Sequence, residues 1–249
     1  MCSISSDIKK EITEGLFYPV FQPICLDNQN NVFGLEVLTR WDNDRPVGQT
    51  ILSLEEQGLS DLFLSTLVSK LTLMISELPD YIRFITVNVS SINLTNELFL
   101  SAIFPLLKEC RRRYIFLSIE ITESNRYPDV LRTKFILMQN IIKCKSLGIK
   151  ILLDDFGKGY HDDESIINMI RPDILKLDRS LCKNIFNIHA MNDMLKNIFF
   201  WKDIYKYEII AEGIETASEF NFMKTLGVKY FQGYLFGKPD KLDDLFWTY

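Results

Sequence analysis

The sequence predicts an α/β fold of the (β/α)8, TIM-like barrel type with an antiparallel first strand. Three observations carry this expectation. Eight short apolar runs alternate with mostly helical stretches within 249 residues, the usual size of one such barrel. The first two runs are joined only by Asp27–Asn31, which can close a hairpin but cannot carry a parallel crossover. No linker, low-complexity segment or internal repeat interrupts the chain, so residues 1–249 read as a single domain. A doubly wound open sheet is the alternative arrangement of the same elements.

In order, Phe17–Ile24 and Val32–Leu38 form the hairpin. Leu64, Leu67, Val68, Leu71, Ile75 and Leu78 make a helical stripe that Pro79 ends. Strand Arg83–Val89 follows, then a helix from about Thr95 to Arg111 and strand Ile115–Ile121. The next helix is expected to bury Leu131, Phe135, Met138 and Ile142, with Gly148 just past its end. Strand Lys150–Leu153 precedes a helix from about Asp163 to Ile170, and strand Asp173–Leu177 a helix from about Ala190 to Trp201. Strand Glu208–Ala211 leads to a capping box of Thr216 and Glu219, closed by Gly227. Strand Val228–Gln232 and a helix around Lys241–Trp247 complete the chain.

Composition narrows the function classes. A net charge of −5 argues against a nucleic-acid polymer as partner, and Arg111–Arg113, the one tight basic run, reads as a solvated helix end. No window approaches a membrane span, and the first residues lack a signal-peptide core. Five scattered cysteines without a C-x-x-C pair suit reduced thiols in a cytoplasmic protein. Two histidines are too few for a histidine-built metal site, so any metal should be a hard ion held by oxygen.

The chemistry should gather where barrel strands end. The buried-looking run Ile151–Leu153 stops at Asp154 and Asp155, followed by Gly157 and Gly159. Glu36, Asn88, Glu120 and Glu123 end the second to fourth strands; Lys176, Asp178, Glu212, Glu215 and Gln232 end the sixth to eighth. Two carboxylates about 4 Å apart repel by about 4 kcal/mol at an effective dielectric near 20. Two divalent ions sharing ligands would offset that repulsion and suit phosphoryl transfer, with Lys176 facing a phosphate oxygen or the attacking water. A metal-dependent barrel hydrolase of phosphate esters fits this set, and so does an enolase-type site with a Lys base.

These residues stand in blocks that resemble the EAL-domain family of bacterial cyclic di-GMP phosphodiesterases. The blocks run from Phe21-Gln22-Pro23-Ile24 to Gln232-Gly233-Tyr234-Leu235-Phe236, through GLEVLTRW, VNVS, EITES, DDFGKGY, LKLD and AEGIET. The signature tripeptide is Glu36-Val37-Leu38. The resemblance implies Mg²⁺- or Mn²⁺-dependent hydrolysis of cyclic di-GMP to linear pGpG, in a signalling role and with a possible homodimer. It implies Glu36, Asn88, Glu120, Asp154, Asp155 and Glu212 as metal ligands, with Glu36, Glu212 and Lys176 in the catalytic set. It also implies Arg40 on a substrate phosphate, Gln232 within the same polar cluster, and Glu123, Asp178 and Glu215 as supporting groups. The chain departs from the family pattern at Lys158 and at His161-Asp162-Asp163, where Asp162-Asp163-Glu164 reads most simply as a helix N-cap. A non-catalytic module that binds cyclic di-GMP or a protein partner is the competing reading.

Overall fold

Residue periodicity explains both layers of the molecule. The computed structural model describes residues 3–26, 31–42, 45–122, 130–157, 163–183 and 193–245. Glu123, Lys158, His161 and Asp162 lie outside them, as does Cys2. The strands are β1 (Phe17–Leu26), β2 (Val32–Trp41), β3 (Phe84–Val89), β4 (Phe116–Ile121), β5 (Lys150–Phe156), β6 (Ile174–Leu177), β7 (Glu208–Ala211) and β8 (Tyr230–Gln232). They close into a barrel in sequence order. β1 is antiparallel to both β2 and β8, and every other neighbouring pair is parallel.

Successive strand residues point to opposite faces. Ile85, Val87, Leu117, Ile119, Ile151, Leu153, Leu175 and Ile209 pack outward with the helices in one large core. The alternate positions fill the barrel. Ile24, Phe84, Leu152 and Ile210 form a separate apolar cluster at the end where the parallel strands begin. Toward the other end of the strands the interior turns polar: Thr86, Ser118, Glu120, Lys176 and Gln232 are all buried. One end of the barrel is therefore apolar inside and the other charged.

The helices are α1 (Ser3–Glu14), α2 (Val47–Glu56), α3 (Ser60–Met74), α4 (Ser91–Leu94), α5 (Phe99–Arg112), α6 (Leu131–Ser146), α7 (Glu164–Ile170), α8 (Arg179–Lys183), α9 (Asp193–Tyr205), α10 (Ala217–Thr225) and α11 (Leu242–Leu245). The stripe from Leu64 to Leu78 is buried as its spacing requires. Thr216 and Glu219 form the expected capping box, and Asp163 caps α7 through Ser165 and Ile166 N–H. The helix expected from about Thr95 to Arg111 forms as α5, starting at Phe99, and the short α4 before it is unexpected. α1 and α2 have no counterpart in the sequence reading; Ile8 and Ile12 bury one face of α1. Burial pushes the thiols of Cys25, Cys110, Cys144 and Cys182 up to about 12, so they behave as core residues.

The expected buried face of α6 is corrected. Leu131, Phe135 and Ile142 are 85%, 64% and 56% exposed, while Leu137, Asn140, Ile141 and Cys144 face the core. Asn140 belongs there because its amide donates to the carbonyls of Leu94 and Asn96 at 2.9 and 2.8 Å. Counting apolar residues favours the opposite face because a satisfied polar residue sits on the buried one.

Gly233 locks the end of β8 against the chain after β7. A Cβ there would lie 2.2 Å from the Ile214 carbonyl oxygen, at a φ of +152°. Gly227 also has positive φ, +87°, but its Cβ would meet open space. Gly227→Ala should therefore cost about 1–2 kcal/mol, the ordinary left-handed penalty. Gly233→Ala should cost at least twice as much, read from urea unfolding midpoints of the two variants. Equal midpoints would mean that the Ile214 contact does not constrain the fold.

Candidate functional site

The polar end of the barrel is organised around Lys176 on β6, only 2% exposed. Its Nζ donates to Glu120 Oε1 at 2.7 Å and to Glu36 Oε2 at 3.0 Å. Asp154 Oδ1 and Glu212 Oε2 lie 3.3 and 3.5 Å from the same nitrogen. Carboxylates from β2, β4 and β5, and from the residue after β7, thus converge on one ammonium. Asn88 donates to Glu36 Oε1 at 3.1 Å and to the Val37 carbonyl at 3.3 Å. The Gln232 amide donates to Glu36 Oε2 and, at 3.0 Å, to Gln22 Oε1.

Asp154 and Asp155 are adjacent, so a regular strand would send them to opposite faces. β5 breaks that rule. Its register against β6 shifts between Leu153 and Phe156, and Asp155 adopts a left-handed φ of +48°. Oxygen atoms of Asp154, Asp155 and Glu212 consequently lie within 4.8 Å of one another, a group that could hold a metal ion. Glu212 Oε2 is buried without a hydrogen bond, and the donor set is all hard oxygen. These residues fit a divalent cation.

Electrostatics support the same point. Burial, the Glu36 charge and Asp154 raise Glu120 well above the ordinary carboxylate range, against Lys176. Burial likewise pushes Glu212 up to about 7 against Lys176, helped by Asp154, Glu36 and Asp155. Burial also opposes ionisation of Asp154, but Lys176 beside it wins and holds its pKa low. Burial would discharge Lys176; the four carboxylates outweigh it and keep the ammonium charged.

A cavity of about 400 Å³ opens beside the cluster, with Glu36, Asn88, Asp154, Asp155, Lys176 and Glu212 on its polar wall. Ile51 and Leu52 of α2 and Phe63 of α3 form an apolar wall. Arg40 is not among the lining residues; its guanidinium donates to the Thr39 carbonyl at 2.8 Å. Asp178 lies at the start of α8 and accepts from Ser180 N–H at 2.8 Å. Glu215 joins Arg179 and Lys183, the latter at 3.3 Å. Glu123 falls outside the described residues.

The sequence reading assigned no role to Thr86 or Gln22. Thr86 donates to Glu120 Oε2 at 3.0 Å, and Gln22 donates to the Gly237 carbonyl at 3.2 Å while accepting from Gln232. Thr86 stands two residues before Asn88, and Gln22 lies opposite Glu36 in the hairpin register. Strand alternation and hairpin pairing were the signals that could have found them.

The Glu212 shift has a measurable consequence. A carboxyl with a raised folded pKa stabilises the fold below its unfolded value, and that contribution is lost as pH rises through the folded one. In EDTA, the stability of the wild type should fall relative to Glu212→Gln as pH rises from 4.5 to about 7, by up to about 3 kcal/mol. Parallel denaturation curves across that window would contradict burial of the Glu212 carboxyl among like charges.

Comparison with known proteins agrees with this architecture. The chain is 26% identical over 248 residues to the probable cyclic di-GMP phosphodiesterase PdeG of Escherichia coli, covering 96% of this chain and 47% of that protein. Across the first four curated relatives it spans between 30% and 47% of their length. The crystal structure of an EAL domain protein from Listeria monocytogenes superposes with a TM-score of 0.78 at 21% identity, covering 98% of this chain and 96% of that one. A standalone EAL protein from Vibrio cholerae, in its c-di-GMP-bound form, gives 0.74 at 25% identity, covering 90% and 92%. The family model for the EAL domain matches residues 5–239, and the chain belongs to that family.

Proposed function

We propose that this chain is a metal-dependent phosphodiesterase that hydrolyses cyclic di-GMP to linear pGpG. The observation that carries the reading is the convergence of Asp154, Asp155 and Glu212 on the bulged end of β5, beside an open cavity. The names of its relatives supply the substrate class. Glu36, Asn88, Glu120, Asp154, Asp155 and Glu212 would hold two divalent ions, Mg²⁺ or Mn²⁺. Such a pair supplies an activated water and stabilises the departing oxygen.

The remaining roles follow from the chain's own groups. Lys176 stays protonated, so it serves as a hydrogen-bond donor that positions the attacking water and not as a base. Gln232 and Asn88 restrain Glu36, and Thr86 restrains Glu120, leaving these buried carboxylates little freedom to rotate. The family resemblance would put Arg40 on a substrate phosphate, which requires its guanidinium to leave the Thr39 carbonyl and turn toward the cavity. In the overall reaction water adds to phosphorus and one bond to a 3′ oxygen breaks. That oxygen gains a proton, and the product carries a 5′ phosphate.

The test is turnover by the purified chain, followed as pGpG by chromatography. Mg²⁺ or Mn²⁺ should support hydrolysis, and Glu36→Ala or Glu212→Ala should lower the rate at least about a hundredfold while the far-UV spectrum is retained. Near-wild-type pGpG production by either variant would overturn the assignment. Binding of cyclic di-GMP without turnover in any metal would leave a receptor module instead.

Metal identity gives a second expectation. Ca²⁺ should bind the same oxygens but support little hydrolysis, because it prefers longer bonds and looser coordination. Saturating metal, at a hundredfold over Kd, should add about 2.7 kcal/mol per site, seen as a higher Tm than in EDTA. Comparable rates with Ca²⁺ and Mg²⁺ would count against a tight two-ion geometry.

A further inference from the structure

The apolar end of the barrel holds a second cavity, of about 500 Å³, where the parallel strands begin. Phe84 and Asn88 lie on the same strand four residues apart, so this mouth is about 13 Å along β3 from the acidic cluster. Its floor is the small apolar cluster of Ile24, Phe84 and Ile210. The walls are aromatic. Phe33 stacks on Phe84 with centroids 5.8 Å apart at 21°, and its other neighbour is Tyr230 at 5.3 Å. Phe116, the first residue of β4, lines the same cavity and is 57% exposed.

The rim carries an excess of positive charge. Lys145, Lys150, Arg171 and Lys206 stand on it with two carboxylates, Asp173 and Glu208. Asp173 is shared by Lys150 at 3.0 Å and Lys145 at 3.9 Å, and also accepts from Ile151 N–H. Glu208 is engaged by Lys202 at 3.0 Å. Among the described residues, Arg171 and Lys206 have no carboxylate partner. The Arg171 guanidinium instead bonds Asn168 and lies 4.7 Å over the Tyr205 ring.

Both unpaired cations follow a helix end, at φ values of +52° and +62°, where glycine is the usual occupant. A basic side chain there accepts backbone strain and places a charge at the mouth. Burial lowers the pKa of Lys145, and the Lys150 and Arg171 charges add to that effect against Asp173. An anion at this rim would relieve the crowding.

We propose that this mouth binds a nucleoside phosphate, with its base among Phe33, Phe116 and Tyr230 and its phosphate on Arg171 and Lys206. Planar bases stack on aromatic side chains regardless of sequence, and Arg and Lys are the usual phosphate donors. A closed ring of strands around an apolar floor admits a compact ligand and excludes an extended peptide. The volume falls within the range of small-molecule sites. This site is separate from the metal-binding end, and its occupancy does not depend on the phosphodiesterase reading.

The experiment is calorimetric titration of the whole chain in EDTA, so that no metal at the acidic end recruits phosphate. The probes are AMP, GMP and UMP, with guanosine and inorganic phosphate as the separated halves. The mononucleotides should bind at least about tenfold more tightly than either half, the signature of a base and a phosphate recognised together. Phe116→Ala, at an exposed side chain, should weaken mononucleotide binding at least about fivefold. Lys206→Glu should weaken it about tenfold, less so at high salt. Neither variant should alter the rate of cyclic di-GMP hydrolysis in the absence of mononucleotide. Failure of all mononucleotides to bind at millimolar concentration would overturn the proposal. So would affinities unchanged in both variants, which would place binding elsewhere, or inorganic phosphate binding as tightly as GMP.

Discussion

Four carboxylates from four different strands or strand ends can share the polar end of this barrel because one buried ammonium stands among them. Lys176 contributes charge from a buried position on the cavity wall, and it stays protonated although burial opposes that state. The balance is incomplete. One cation faces Glu36, Glu120, Asp154 and Glu212, and burial together with the surplus of negative charge raises the pKa values of Glu120 and Glu212. Losing one member of a buried ion pair typically costs about 3–5 kcal/mol, so the cluster constrains the fold as well as the chemistry. A site left with excess negative charge has a built-in affinity for cations.

The second constraint is geometric. A regular strand cannot present two adjacent side chains to one site. The β5 bulge and the left-handed Asp155 remove that limit at the position where the acidic pair occurs. Such backbone costs on the order of 1–3 kcal/mol and persists where surrounding structure holds it. Here the closed barrel and the buried flanking residues Leu153 and Phe156 hold it. Stability elsewhere in the barrel therefore maintains the geometry of the acidic group.

The two ends of the barrel interior follow from one register of alternation. Along β3, β5, β6, β7 and β8, an apolar or aromatic residue enters the barrel first and a polar one follows. Phe84 precedes Thr86 and Asn88, Leu152 precedes Asp154, and Ile174 precedes Lys176. The apolar layer isolates the charged cluster from the opposite mouth. It also leaves the aromatic side chains at that mouth facing a cavity.

The sequence by itself determined the barrel, its antiparallel start and the charged residues Glu36, Glu120, Asp154, Lys176 and Glu212 that meet at its polar end, though not Thr86 or Gln22 beside them. Those features are local: strand and helix periods differ, a five-residue link forces a hairpin, and parallel strands deliver their ends to one rim. Pairing and packing decided the rest. No local signal shows that Asn140 rather than Phe135 faces the core, because that depends on carbonyls from Leu94 and Asn96 that α4 and its following turn bring to it. Lys176 could be placed on the rim from its strand, but its burial among four carboxylates requires β2, β4, β5 and β7 to close around it. The cavity at the opposite mouth is the clearest case. Phe33, Phe116, Arg171 and Lys206 are far apart in the chain and unremarkable one by one, and only closure of the barrel makes them neighbours.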